Sequence, residues 1–185
     1  MTLPNAAASG PSPSQGVMLI TTGLLVQLEE DEILGVVGHE FSHLKGRDTL
    51  VFFGLSSIEY LLRVYVTWPL VMYFGLFYFY LYSFVALGLV YFIAKFFEGK
   101  SDLEAAKVLG QPKILAEALT KIGFQRLQLE RLPSYRIMEW IGWDPHPPIY
   151  FRVDQLERLE APEKLERPLV QSIKNNIRGF LGALG

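Results

Sequence analysis

The chain has no cysteine, so neither a disulfide framework nor a thiolate-ligated metal or redox site is open to it. Histidine is scarce, with three in 185 residues, at positions 39, 43 and 146. Cationic excess is missing as well: 17 Lys and Arg against 19 Asp and Glu give a net charge of −2, which offers no electrostatic footprint for nucleic acid. The first 16 residues are rich in Pro, Ser, Ala and Gly and hold no apolar core, so no secretory signal peptide is expected. Charge itself disappears from residues 64–94, a run well beyond the roughly 18 apolar residues that suggest a membrane span. With half of all residues apolar and mean hydropathy of +0.24, an integral membrane protein is expected.

Against this background of absences stands His39-Glu40-Phe41-Ser42-His43. On a helix, residues four apart project from one face, so both imidazoles can reach one metal ion. Catalytic zinc has three protein ligands and an exchangeable water, and Glu40 is placed where its carboxylate can take that water's proton. The acidic run Glu29-Glu30-Asp31-Glu32 suits a helix N-terminus, with the helix starting near Asp31. Ile33, Val37, Phe41 and Leu44 recur at helical spacing and are expected to form its buried face. Gly46 is a candidate tightening point beyond it.

Upstream, residues 3–8 and 17–21 are expected to pair as strands across a Ser/Pro/Gly loop, the second of them buried on nearly both faces. Thr21 or Thr22 then caps a short turn through Leu24-Leu25. Downstream, residues 64–94 as one helix would span about 46 Å, against a bilayer core of about 30 Å. A third metal ligand after this segment must return to the side of His39 and His43, so the number of crossings is even. Two helices over residues 49–66 and 75–97 satisfy this, with the turn at Trp68-Pro69 and with Tyr65 and Tyr73 as interfacial aromatics. Glu59 and Arg63 fall within the first span, four apart, where they can pair.

Beyond residue 97 the chain reads as soluble in character. Pro112–Ile122 is expected to be a helix stopped by Gly123, with Leu115, Leu119 and Ile122 inward. Pro145-His146-Pro147-Pro148 cannot be helical and leads into a helix over residues 150–159. From Pro168, Leu169, Ile173, Ile177, Phe180 and Leu184 make one face of an amphipathic helix that either packs on the domain or lies at the membrane surface. The third ligand is either His146 or a carboxylate. Glu98 is the best-placed carboxylate, with Asp102 one turn on, able to accept a proton from a ligand imidazole and fix its tautomer. Without the histidines the same pair would read as a solvated acidic cap.

Leu3-Pro4-Asn5-Ala6, Thr21-Thr22-Gly23-Leu24-Leu25, His39-Glu40-x-x-His43, Gly46-Arg47-Asp48, Glu98-x-x-x-Asp102 and His146-Pro147-Pro148 occur in the order seen in HtpX-like membrane zinc endopeptidases. The sequence resembles that family from about residue 3 to residue 159. Zinc-type CAAX prenyl proteases are its relatives, and both are gluzincins. The resemblance implies one zinc ion on His39, His43 and Glu98, Glu40 as general base, and Asp102 behind a ligand. It implies further that Asn5 and Ala6 form an edge strand that pairs with substrate backbone, and that His146 contacts the scissile carbonyl. Such proteins carry two membrane helices and further strands before the Pro-Asn-Ala segment, so this chain is expected to be an N-terminally truncated piece.

The expected protein is therefore mainly helical α+β, a gluzincin zinc-peptidase domain with an inserted transmembrane helical hairpin. Residues 1–48 hold the β-hairpin and metal-binding helix, 49–97 the membrane hairpin, 98–160 the rest of the peptidase domain and 161–185 the amphipathic segment. The expected activity is peptide-bond hydrolysis in quality control of misfolded or damaged membrane proteins. The alternatives are processing of a defined peptide or prenylated substrate, and an inactive zinc-binding membrane scaffold. Protein or peptide substrate and the lipid bilayer are the expected partners, with no nucleic acid. Lys45, Arg47, Lys95 and Lys100 flank the membrane ends on the metal side, which places the catalytic domain of this multi-pass protein in the cytoplasm.

Overall fold

The computed structural model describes residues 3–185. Most of them are helical, and the described strands form one two-stranded antiparallel sheet, β1 (Ala6–Ser9) on β2 (Val17–Ile20). Ala6 pairs with Ile20 and Ser9 with Val17. Thr21 holds the open end: its hydroxyl accepts from the Asn5 N–H at 2.8 Å, and its own N–H donates to the Asn5 carbonyl at 3.0 Å. The same hydroxyl caps α1 (Thr22–Gln27), accepting from the Leu24 N–H at 3.3 Å. β2 is less buried than expected. Val17 and Leu19 face outward and are exposed, because a sheet of two strands has only one covered face.

α2 (Glu30–Gly46) opens on a reciprocal cap between Glu29 and Glu32, which satisfies two of the N–H groups a helix start leaves unpaired. Its buried face differs from the apolar stripe expected. Phe41 is exposed, while Gly35, Val36, His39, Ser42 and Leu44 are buried. The helix turns its metal-binding side inward, and small residues there let it approach its neighbours closely. The left-handed residue that ends it is Arg47, at φ 55°, rather than Gly46. A Cβ at Gly46 would collide with the Asp48–Lys100 pair beside it.

α3 (Asp48–Leu62) runs through a π-helical turn, Arg63–Thr67, into α4 (Trp68–Leu109). The stretch Asp48–Leu109 is long and apolar enough to cross a membrane. It is not straight. At Gly75 the backbone leaves the helix, at φ 77° and ψ 173°, a conformation that costs glycine little. Trp68 then stacks on Phe79 at 5.5 Å, Phe52 on Phe97 at 5.1 Å, and Asp48 meets Lys100, so the segment doubles back on itself. The reversal lies at Gly75 and not at Trp68-Pro69. The wide turn absorbs the proline: the Trp68 N–H donates to the Arg63 carbonyl five residues back, and Pro69 follows with no N–H to place. Arg63 Nη2 lies 3.2 Å from Glu59 Oε2 on this segment.

The second half of α4 passes into the soluble part without a break, so Glu98 and Asp102 ride on the helix that returns from the apolar segment. α5 (Pro112–Ile122) packs between two buried clusters, one built on Ala105, Ala106, Leu115, Ala116 and Leu156, the other on Leu24, Leu28, Val36 and Ala118. Ala6 and Ile20 rest on the second cluster, which fixes β1 against the helical body. α6 (Phe124–Leu129) and α7 (Pro133–Ile141) lead to the proline loop, then α8 (Ile149–Glu157) and α9 (Pro168–Leu184) follow. Glu130 caps α8 with both carboxylate oxygens, accepting from Ile149 N–H at 2.9 Å and Tyr150 N–H at 2.8 Å, and so fixes the helix that carries Arg152.

Candidate metal centre and active site

α2 and the soluble end of α4 cross so that three donor groups meet: His39, His43 and Glu98. His39 Nε2 and His43 Nε2 are 3.2 Å apart. Glu98 Oε2 lies 3.4 Å from His39 Nε2, and Glu98 Oε1 lies 3.3 Å from His43 Nε2. Zinc bonds of about 2.0–2.1 Å at the tetrahedral angle put ligand atoms about 3.3 Å apart, and each of these contacts is close to that spacing, the two imidazoles facing different oxygens of the one carboxylate. Glu98 Oε2 is buried with no hydrogen-bond partner, a state that a cation among the three groups would relieve. The donor set, two imidazoles and one carboxylate, is that of a catalytic zinc site with an open fourth position.

The outer nitrogens of both imidazoles meet carboxylates. His43 Nδ1 is 2.9 Å from Asp48 Oδ2 and 3.2 Å from Ser101 Oγ. His39 Nδ1 is 2.8 Å from Asp102 Oδ1, off the direction of the ring N–H. Each carboxylate is in turn held by a cation. Lys100 Nζ donates to both oxygens of Asp48 at 2.7 Å, and Arg152 grips Asp102 with two bonds of 2.7 Å. Such bidentate, fully buried pairs fix geometry as well as charge. Asp102 lies beside His39; Asp48 was noted in sequence only within Gly46-Arg47-Asp48 and Lys100 only as a flanking cation, and Arg152 was not noted.

Charge in this cluster is strongly coupled. Burial pushes the Asp102 carboxyl up, and the Arg152 guanidinium together with His39 more than offsets it, leaving the group at about 2. Burial likewise raises Glu98, and the imidazoles of His146, His39 and His43 outweigh it, holding Glu98 well below the usual carboxylate range. Burial pushes both ligand imidazoles down, yet Asp102 and Glu98 raise His39, and Asp48 and Glu98 bring His43 to about 10. So many carboxylates around two imidazoles attract either protons or a multivalent cation.

His146 reaches this centre from the proline loop. Its Nε2 lies 3.6 Å from Glu98 Oε2, and the ring is half exposed. Asp144 positions it, with Oδ1 accepting from the His146 N–H at 2.8 Å and lying 2.9 Å from Nδ1. Asp144 is itself fixed by Arg126 Nη1 at 2.8 Å and by Lys95, which donates to its carbonyl. Burial acts to raise the Asp144 carboxyl, while its bonds to His146 and the Arg126 charge hold it far below the usual range. Two adjoining cavities of about 260 and 370 Å³ share Asn5, Ala6, His39, Glu40 and His146 in their walls. The structure thus brings Glu40, His146, Asn5 and Ala6 to one cleft beside the three donor groups. Because Asn5 pairs with Thr21 by a backbone bond, alternation turns the N–H and C=O of Ala6 and Ala8 away from β2.

The model of peptidase family M48 matches residues 2–160. A "Protease HtpX homolog" of Methanopyrus kandleri is 34% identical over 84% of this chain and 56% of its own length. Another of Gemmatimonas aurantiaca is 28% identical over 85% of this chain and 66% of its own length. "Protease HtpX homolog 2" of Methanosarcina acetivorans is 29% identical over 85% of this chain and 64% of its own length. The chain thus spans about three-fifths of the length of these curated relatives. No solved structure matches it.

Proposed function

This chain belongs to peptidase family M48, and on that premise we propose that it is a membrane-embedded zinc endopeptidase. The observation that carries the reading is the meeting of His39, His43 and Glu98, with the two Nε2 atoms 3.2 Å apart and a different Glu98 oxygen 3.4 and 3.3 Å from each, opening on the cleft that Glu40 lines. His39, His43 and Glu98 would hold the ion. Bound zinc lowers the pKa of a ligated water and polarises the substrate carbonyl.

The chain's own residues supply the rest. Glu40 takes the proton of the attacking water and hands it to the leaving amine. His146, steadied by Asp144, donates a hydrogen bond to the oxygen of the scissile carbonyl as negative charge develops there. Asp48 holds the outer nitrogen of His43 by a hydrogen bond and Asp102 sets its charge beside that of His39, so the inner nitrogens stay turned to the ion. An extended substrate adds to the free edge of β1, where the outward backbone groups of Ala6 and Ala8 serve as partners and Asn5 borders the cleft. The doubled-back apolar segment crosses the bilayer twice and keeps the zinc domain on the cytoplasmic side.

Quality control of misfolded or damaged membrane proteins is the role this reading favours, since an open edge strand selects extended backbone more than a particular side chain. Cleavage of casein by the purified chain, with Glu40→Gln as control, tests the activity. Loss of cleavage in Glu40→Gln supports an enzyme; equal and absent cleavage in both makes the protein a zinc-binding scaffold. A survey of cleavage sites that returns a single defined peptide makes it a processing protease.

A further inference from the structure

The helix α9 packs the wrong way round for a water-soluble domain. Its innermost residues are polar: Ser172 and Asn176 are fully buried, Ser172 Oγ donates to the Phe96 carbonyl at 2.7 Å, and Asn176 Nδ2 donates to the Ser172 carbonyl at 2.9 Å. Gly99 on α4 makes the approach possible, since a Cβ there would collide with the Ser172 hydroxyl. Leu169, Ile173 and Phe180 are half-buried beside them, Phe180 meeting Phe92 edge-on at 5.3 Å and Trp140 at 6.2 Å. Ser172 therefore lies beside residues 96–99 and Phe180 beside residue 92. α9 runs antiparallel to α4 and climbs along it toward the apolar segment.

The outward side of α9 carries an apolar stripe flanked by two cations. Val170, Ile177, Leu181 and Leu184 follow one stripe at spacings of seven, four and three, and the last three are 43, 59 and 55% exposed. Small and polar residues at the closest approach, with large apolar residues left on the outer surface, is a pattern of helices packed in lipid, where close backbone approach and hydrogen bonds hold them together. Other exposed apolar residues lie on α7, which packs on α9 through Trp140 and Phe180. Met138 and Ile141 are exposed at the end of α7, and the exposed Trp143 stacks at 6.0 Å on Phe84, within the uncharged run of α4. Val85 and Leu89 of α4 are exposed too. α9 carries the cations Lys174 and Arg178, both exposed, and no acidic residue.

We propose that the outer stripe of α9 and the end of α7 form a second membrane-contact surface, in which Ile177, Leu181, Leu184 and Trp143 enter the interfacial layer of the bilayer while Lys174 and Arg178 meet lipid headgroups. The inference rests on the reading that the α3–α4 segment spans the membrane. Continuity with that segment and the acid-free, cationic flank favour lipid over a protein partner. It makes the peptidase domain lie against the bilayer rather than hang from it. Trp143, three residues before His146, then ties the loop at the cleft to the membrane surface.

The chain's lack of cysteine allows a direct test in the full protein reconstituted in phosphatidylcholine–phosphatidylglycerol vesicles. An environment-sensitive fluorophore is placed at single cysteines, Leu181→Cys, Leu184→Cys, Phe77→Cys and Glu163→Cys, and quenched either by nitroxide-labelled lipid or by aqueous iodide. The inference expects probes at 181 and 184 to be quenched by the lipid as strongly as the probe at 77, and the probe at 163 by iodide. Lipid quenching at 77 with iodide quenching at 181 and 184 overturns the second surface and leaves the span intact. Protection at 181 and 184 from both quenchers also overturns it, in favour of contact with a second protein surface. No lipid quenching at 77 overturns the spanning reading and this inference with it.

Discussion

Asp48 Oδ2 lies 2.9 Å from His43 Nδ1, and Lys100 clamps the other side of the same carboxylate. The pair holds the imidazole with Nε2 turned inward and raises its basicity as a ligand. Asp48→Asn should therefore weaken zinc binding by about 10- to 100-fold while the chain stays folded. Chelator competition measures the constant. Unchanged affinity would mean that Asp48 supports only the start of α3.

The carboxylates around the ligands make protons compete with zinc. Burial pushes His43 down, but Asp48 and Glu98 bring it to about 10, and His39 is raised by Asp102 and Glu98. At about 10, His43 stays protonated through neutral pH in the metal-free protein, and His39 is shifted in the same direction, so zinc must displace a proton to bind. Affinity should rise with pH between 6 and 8, by about tenfold per unit for each proton released. A dissociation constant that does not change over this range contradicts the proton-coupled site.

His146→Ala should retain zinc and lose about a hundredfold in kcat/KM, because it removes a donor to the developing oxyanion and leaves the metal ligands alone. Asp144→Asn should fall in the same direction by less, since Asp144 acts through His146. A fully active His146→Ala variant would return His146 to the role of a surface residue; a zinc-free one would make it a ligand.

The metal helix was legible because its chemistry lies in local spacing: His39, Glu40 and His43 sit within two turns, and their relation survives any tertiary arrangement. Pro112–Ile122 and the non-helical proline loop were legible for the same local reason. Asp48, Lys100 and Arg152 were not, since Arg152 meets Asp102 across 50 residues and nothing local separates it from the other 16 cations of the chain. Phe41 was misplaced because apolar periodicity assumes an apolar interior, whereas α2 buries a polar site. The turn was misplaced because Trp68-Pro69 is the stronger local signal, yet a π turn absorbs the proline and only Gly75 takes the reversing backbone conformation. α9 shows the same limit: its stripe was visible, but which side faces inward depends on Gly99 and Phe96 of another helix.

The proposed cytoplasmic placement of the peptidase domain rests on Lys45, Arg47, Lys95 and Lys100 at its end of the apolar segment, against no cation in residues 66–75. A cysteine at the exposed Glu163 should escape an impermeant reagent in intact cells and react after lysis. Ser101, fully buried beside His43, would not serve as the reporter. Labelling of the cysteine at 163 in intact cells contradicts the orientation.

The most direct measurement is the zinc content of the purified chain and two variants, taken together with their peptide cleavage. The parent and Glu40→Gln should each hold one zinc per chain, with cleavage lost in Glu40→Gln, and Glu98→Ala should lose most of the metal and all cleavage. Glu98→Ala that binds zinc as tightly as the parent would contradict the centre built from His39, His43 and Glu98.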